Sequence, residues 1–391
     1  MAKSQTTPRI PISNKLSVLE LVSRYESITR REIAHILHYT PMTISNTVTA
    51  LIQDGLIVEK DAVKGNSLGR KPNLLDITDK VPLIIGISMT RKNLKCALMD
   101  FRSNVIARNE TEFKDVKDNK ELISIIRSSV DKLLNGNKRP LIAIGFSCFG
   151  PVDTRRGRII DAQFFYGMNE IDIKEPLESA YGLPVYIIHD ANASALAEKY
   201  SGAAEKLDNF IYIRITAGIG CGLVLNGKIY EGVHGLCGEL GHTSINMKGP
   251  VCNCGNHGCI ENYINTDLIT KRINDFHKFN PELKWKDIVA LYNSPQEMFK
   301  KTMSEICDMI SFSITNIINI LDLDTIFLEY PGQESGNRIE RNIQEYVNDH
   351  IVARNIRKVD ILQSTHGEDS TLIGTADLVK SKLFSGEIAL L

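Results

Sequence analysis

The sequence predicts an α/β body behind an N-terminal winged helix-turn-helix. Three observations carry this: capped helical segments and a hairpin pattern before residue 80, strands alternating with helices after it, and one glycine-rich stretch crowded with cysteines. A chain of 391 residues exceeds one ordinary core, so the expected domains are residues 1–80 and 81–391. Hydrophobic content of 43% and charged content of 24% fit a soluble globular protein. No apolar run approaches a membrane span, and the start, MAKSQTTPRIPISNK, has no apolar signal core. No membrane partner is expected, and the cytoplasm is the expected address. The first 80 residues hold 11 Lys/Arg against 8 Asp/Glu, while the remainder holds 35 against 39. A mildly basic head on an acidic body is compatible with a nucleic-acid-binding end.

In the head, Leu16, Leu19, Leu21 and Val22 mark one face of a helix over Asn14–Tyr25. Thr29-Arg30-Arg31-Glu32 has capping-box spacing and opens a short helix, with Ile33, Ile36 and Leu37 expected inside. Thr40-Pro41 reads as N-cap and first residue of a third helix, whose apolar face is Ile44, Val48, Leu51 and Ile52 and whose stop is Gly55. Two short helices on a tight turn predict a helix-turn-helix. Its outward residues Met42, Thr43, Ser45, Asn46 and Thr49 are mostly short and polar, which suits base edges and phosphates in a major groove. Leu56–Glu59 and Leu74–Ile77 then form the wing strands around a basic loop at 64–72. Arg70 and Lys71, between Gly69 and Pro72, suit a narrow minor groove. The helices alone also fit a protein-interaction head; the wing and its tip favour duplex DNA.

In the body, Leu83–Ser88 with Leu94–Asp100 and Phe210–Thr216 with Gly222–Leu225 read as two strand pairs. Glu121–Leu134, Ala191–Tyr200 and Met298–Leu321 read as helices; Leu141–Ile144, Val185–Ile188 and Thr325–Leu328 read as buried strands. Each half opens with paired strands, which suggests two similar halves.

Glu239-Leu-Gly-His242 is followed, after nine residues, by Cys252-Asn-Cys254-Gly-Asn-His-Gly-Cys259-Ile-Glu261. Three close thiolates and one upstream imidazole meet the tetrahedral demand of structural zinc, and the glycines permit a tight wrap. His257, inside the loop, is the rival imidazole.

This segment resembles the signature of the ROK family of repressors and sugar kinases at every position. The head resembles that of its repressor branch, which includes the xylose and N-acetylglucosamine repressors. The resemblance implies a two-lobed actin-like, sugar-kinase-like (ribonuclease H-like) ATPase fold after residue 80, and zinc ligation by His242, Cys252, Cys254 and Cys259. It also implies a carbohydrate site at Gln163, His189, Asp190, Glu239, His242 and Glu261. Two positions depart from the family pattern: His189 stands for an asparagine, and Gln163 sits about where another sugar-binding asparagine is expected. Both keep hydrogen-bonding capacity, and both also fit ordinary loop or core polar residues.

The kinases of the family hold ATP on loops this chain has altered. Gly86-Ile87-Ser88-Met89-Thr90 lacks the acid and paired glycines of the first loop; Glu329-Tyr330-Pro331-Gly332 puts a tyrosine and a proline, expected to obstruct, where the adenosine loop has glycines. Thr216–Gly222 keeps the glycines of the second loop. The expectation is therefore no enzyme, but a sugar-responsive transcription regulator, most readily a repressor. Its partners would be an operator duplex, a carbohydrate effector and further copies of itself, as a dimer or tetramer. The alternatives are an active sugar kinase carrying a DNA-binding head, and a regulator governed by a protein partner.

Overall fold

The structure, a computed structural model, describes residues 12–25, 27–60, 73–162, 165–295 and 298–389. The head comprises α1 (Ile12–Arg24), β1 (Ile28–Thr29), α2 (Arg30–Ile36), α3 (Pro41–Gln53), β2 (Ile57–Lys60) and β3 (Leu74–Ile77). The capping box is formed: the Glu32 amide donates to the Thr29 hydroxyl and the Thr29 amide to the Glu32 carboxylate. Thr40 caps α3 by accepting from the Thr43 amide. Val18, Leu19, Val22, Ile33, Ile44, Val48 and Leu51 are buried and form the head's core. Ile36, expected inside, is 43% exposed and Leu37 only half-buried, because α2 ends at Ile36 and turns Ile33 and Ala34 inward instead. The short strand β1 pairs with β3 and adds a third strand to the wing sheet, in order β1-β3-β2.

The described residues fall into two compact units: Met1–Phe146 with Asp172–Tyr186 and Thr375–Leu391, and Ser147–Ile171 with Ile187–Gly374. The head packs within the first. Arg102 reaches back to it, donating to the Val22 and Ser23 carbonyls at the end of α1 and to Asp76 of β3.

The first unit is built on β4 (Leu83–Met89), β5 (Asn93–Met99), β6 (Val105–Glu112), α4 (Asn119–Leu134) and β7 (Leu141–Cys148). The short strands β8 (Val152–Asp153), β9 (Arg158–Ile160) and β10 (Glu170–Asp172) form a separate small sheet. Then follow α5 (Lys174–Tyr181), β11 (Val185–His189) and α6 (Asp190–Ser201). The second unit is built on β12 (Phe210–Ile215), β13 (Ile219–Leu225), β14 (Lys228–Ile229), α7 (Glu261–Ile264), α8 (Thr266–His277), α9 (Trp285–Asn293), α10 (Lys300–Leu321), β15 (Thr325–Glu329), α11 (Arg338–His350) and β16 (Asp360–Gln363); α12 (Ser370–Phe384) ends the chain's regular structure.

The two main sheets share one topology. Their orders are β11-β7-β4-β5-β6 and β14-β13-β12-β15-β16. Counted from the first strand of each, both read 5-4-1-2-3 in one direction or the other. In each, the first two strands form an antiparallel hairpin. The similar halves suggested by the sequence are thus present as a repeated strand order. The core of the second unit rests on α10, where Ile306, Ile310, Ile314 and Ile318 repeat every fourth residue and are buried. Each contributes roughly 1.5–3 kcal/mol of transfer free energy, which offsets the cost of ordering the helix.

Candidate ligand site, metal loop and nucleic-acid interface

The cysteine loop is a closed structure of its own. The Cys252 amide donates to the Asn256 carbonyl and the Gly255 amide to the Cys252 carbonyl, folding the three sulfurs onto one side. Gly258 has φ +66°, and a Cβ there would lie 1.9 Å from the Asn246 carbonyl oxygen, so only glycine fits. One donor atom from each of His242, Cys252, Cys254 and Cys259 lies within 4.8 Å of the others. The Cys254 and Cys259 sulfurs are 3.7 Å apart, and His242 Nδ1 is 3.5 Å from Cys252 Sγ. A tetrahedron with metal–sulfur bonds of ~2.3 Å and metal–nitrogen bonds of ~2.0 Å has edges of about 3.8 and 3.5 Å, so the donor set fits a metal ion. Burial, then the sulfurs of Cys252 and Cys254, push the Cys259 thiol up to about 12, while the Asn256 amide holds Cys254 lower. A divalent cation would let three thiolates share so small a volume. His257 stays outside the cluster, its Nδ1 turned to the Gly249 carbonyl 3.4 Å away.

The loop places the acids on either side of it. Glu239 precedes the 3₁₀ turn Leu240–His242, and His242 Nε2 lies 4.0 Å from its carboxylate. The imidazole thus turns Nδ1 to the sulfurs and Nε2 toward Glu239. Glu261 opens α7 two residues after Cys259, and its carboxylate accepts from the Ile219 amide at 3.1 Å. Asp190 opens α6, where Oδ1 accepts from the Ala191 amide at 2.7 Å. The start of β13 gathers all three acids. A Cβ at Gly218 would lie 3.0 Å from Glu261 Oε2, one at Gly220 would lie 3.5 Å from Asp190 Oδ1, and one at Gly238, next to Glu239, would lie 1.9 Å from the Cys221 carbonyl oxygen. His189 packs there too: its ring lies against Gly150 and Gly220, at positions where any side chain would collide with it or crowd it. Its Nδ1 is 3.4 Å from Asp190 Oδ1. The structure thus brings together His189, Asp190, Glu239, His242 and Glu261; Gln163 lies outside the described residues. Carboxylates and imidazoles so arranged accept from and donate to ring hydroxyls of a polyol.

The positions expected to correspond to the kinase phosphate loops are placed in different ways. Ser88 sits buried within β4, opposite Lys95 of β5. The turn Thr216–Gly218 is closed by the Thr216 amide donating to the Gly218 carbonyl. Tyr330, expected to obstruct a nucleotide, is a buried side chain. It is 2% exposed and its hydroxyl donates to Glu340 at 2.7 Å, because burying an aromatic ring with a satisfied hydroxyl is the lower-energy choice.

In the head, Met42 is 70% exposed and Asn46 is exposed beside it on α3. Thr43 shares its hydroxyl with that of Thr40. Ser45 and Thr49 are less free than their polarity suggests. Arg30 donates to the carbonyl and hydroxyl of Ser45 and lies 3.4 Å from the Thr49 hydroxyl, and its Nε donates to Glu59. Arg30 thus stands at the recognition helix, tying it to the wing. Arg70 and Lys71 lie outside the described residues.

Sequence reasoning missed Arg30, Arg214 and Glu329. The signal for the last two was present. Phe-Ile-Tyr-Ile-Arg-Ile and Thr-Ile-Phe-Leu-Glu each place one charge in a buried strand, and a charge there requires a partner. Only the parallel pairing of β12 with β15, which sets Arg214 beside Glu329, names that partner.

A sequence model of the ROK family matches residues 84–382. The xylose repressor of Caldicellulosiruptor bescii is 26% identical over 95% of this chain and 96% of its own. The xylose repressor of Bacillus subtilis is 25% identical over 94% of each. A glucokinase of Halalkalibacterium halodurans is 27% identical over 76% of this chain and 95% of its own. Among solved structures, a ROK family transcriptional regulator, homolog of the E. coli MLC protein, superposes with TM-score 0.78 at 22% identity, covering 95% of this chain and 96% of that one. A ROK family glucokinase from Streptomyces griseus, in complex with glucose and AMPPNP, superposes at 0.67 with 20% identity, covering 76% and 98%. These structural likenesses establish an α/β fold common to regulators and kinases. With a family match over residues 84–382 and the cysteine signature in place, the chain belongs to the ROK family.

Proposed function

We propose that this chain is a sugar-responsive DNA-binding transcription regulator, acting as a repressor of carbohydrate-utilisation genes. The observation that carries the reading is the union, in one chain, of a winged helix-turn-helix head with a carboxylate–imidazole site braced by a metal loop. The similarity to two xylose repressors extends over the head as well as the body, and supports the same conclusion. Met42, Thr43, Asn46 and, through Arg30, Ser45 and Thr49 face the major groove; Arg70 and Lys71 of the wing take the minor groove. Zinc is the metal of the loop, since a Cys₃His set with tetrahedral edges is a closed structural site. It fixes Glu239 and Glu261 rather than touching the sugar. His189, Asp190, Glu239 and Glu261 bind ring hydroxyls, with His242 between sugar site and metal and Gln163 completing the pocket. The chain works as a homodimer or tetramer on a two-fold operator.

Phosphoryl transfer is not its role. The family's first phosphate-loop acid is absent at 86–90, and the carboxylate a kinase would use as base, Asp190, is engaged by an arginine. Binding of sugar changes operator affinity only by its differential affinity for the two states of the protein.

The test has two parts on the full chain. Selection from a random duplex library, followed by titration, is expected to yield an inverted-repeat operator that the protein leaves when one of D-xylose, D-glucose or N-acetyl-D-glucosamine is added. A head that shows no preference among duplexes removes the DNA reading. Turnover of ATP with any of these sugars overturns the non-enzymatic reading.

A further inference from the structure

Arg214 is the one charged residue of β12, and its guanidinium side chain is only 11% exposed. Nε donates to Glu329 Oε1 at 2.9 Å and NH1 donates to Asp190 Oδ2 at 3.0 Å. Glu329 is itself 1% exposed and closed on its other side: Oε2 accepts from the hydroxyls of Tyr212 at 2.8 Å, Ser370 at 2.7 Å and Ser194 at 3.3 Å. The buried carboxylate therefore needs nothing from Asp190, and it serves as the anchor that aims the arginine. Asp190 is different. It is the outer member of the chain of charges, about a fifth exposed, with Oδ1 held by the Ala191 amide and Oδ2 by Arg214. Each oxygen keeps a lone pair for another donor. Beside Asp190 at Gly220 is the ring of His189, with Nδ1 3.4 Å from Asp190 Oδ1, and the carboxylate of Glu261 lies two residues away at Gly218.

We propose that Arg214 is the positioning residue of this site: anchored by Glu329, it fixes Asp190 to receive the hydroxyls of an uncharged sugar, and, spent on two carboxylates, it is not available to a phosphate. A dianionic phosphate or a uronate would meet Glu239 and Glu261 with this cation already neutralised. This rests on reading Asp190, Glu239 and Glu261 as the sugar site.

The experiment is calorimetric titration of the full chain with D-xylose, D-glucose, N-acetyl-D-glucosamine, and the 6-phosphates of the last two. At least one neutral sugar is expected to bind, and the phosphates to bind more weakly than their parents. The informative variant is R214M/E329Q, which leaves no buried charge without a partner and keeps an oxygen for the three hydroxyls. It is expected to weaken the bound sugar about 10- to 100-fold, as for other supports of a binding group, with the near-ultraviolet circular dichroism of the wild type. Because Arg214 acts through Asp190, adding D190N to this variant should weaken binding no further than D190N does alone. A merely structural role would multiply the two losses. R214K, which keeps the charge but not the fork that spans two carboxylates, should fall between and guards against a double variant that does not fold. Wild-type affinity in R214M/E329Q or R214K, multiplied losses, or a sugar phosphate that binds tightest overturns the proposal while leaving the sugar site standing. A wild type that binds none of the five removes the site and the proposal together.

Discussion

The two five-stranded sheets have the same strand order, yet their opening hairpins have opposite fates. The first turn, between β4 and β5, is sealed by its own side chains. The Thr90 hydroxyl accepts from the Lys92 and Asn93 amides, and the Thr90 amide donates to the Asn93 carbonyl. The second turn, between β12 and β13, ends on Gly218 and is followed by Gly220 and Gly222, and the Cβ positions of all three are taken by groups of the site or of α6. Equal topology thus does not fix equal use. What distinguishes the halves is whether backbone at the hairpin is left bare for other groups to approach, which only glycine allows.

Four experiments break or sharpen that contrast. The largest effect is expected at the metal loop. Cys254→Ser should lose the bound metal, read by elemental analysis of the purified chain, and raise hydrogen exchange of 239–261 at least tenfold, with the β4–β5 hairpin unchanged. Full metal content in the variant would remove Cys254 from the ligand set. Next comes Gly222→Val. The first added carbon would lie 2.5 Å from the Ala191 carbonyl oxygen, so the strand and α6 must part. A loss of about 3 kcal/mol in denaturant unfolding is expected.

A gain of about 1 kcal/mol is expected for Glu340→Gln at pH 7.5. Burial raises the Glu340 carboxyl above its ordinary value, more than Tyr330 lowers it, and Oε2 has no hydrogen-bond partner among the described residues. An acid raised in the folded state contributes stability that is present below its unfolded value and is lost as pH rises through the folded one. The gain should therefore vanish near pH 4; a constant difference across that range would refute the cause. The smallest effect is Thr90→Ala, about 1 kcal/mol or less for the lost turn hydrogen bonds, with sugar binding unaltered. A change in sugar affinity there would mean that the sealed hairpin still serves the ligand.

Glu329 and Glu340 repeat the lesson at smaller scale. Both are buried acids near the end of β15. Glu329 has a guanidinium and three hydroxyls, whereas Glu340 accepts from the Tyr330 hydroxyl and leaves Oε2 without a hydrogen-bond partner among the described residues. The first is closed on every side by donors; burial raises the carboxyl of the second above its ordinary value.

The sequence by itself determined whatever depends on neighbours in the chain. The capping box at Thr29 and Glu32, the Thr40-Pro41 start of α3 and the fourfold isoleucine repeat of α10 are local, set by hydrogen-bond reach or helical period, and the Cys₃His loop closes within one short segment, 242–259. Whatever depends on pairing across the chain was decided by tertiary structure alone. Ile36 went to the side opposite expectation because the limits of α2 determine which face is inside, and Tyr330 is buried against the acid at position 340. Arg30 reached Ser45 and Glu59. Arg214 met Glu329 and Asp190, residues 115 and 24 positions away, because β12 and β15 lie side by side in parallel. A buried charge announces in the sequence that it must have a partner; only the folded sheet says which one, since the energy that selects it is a matter of distance in space.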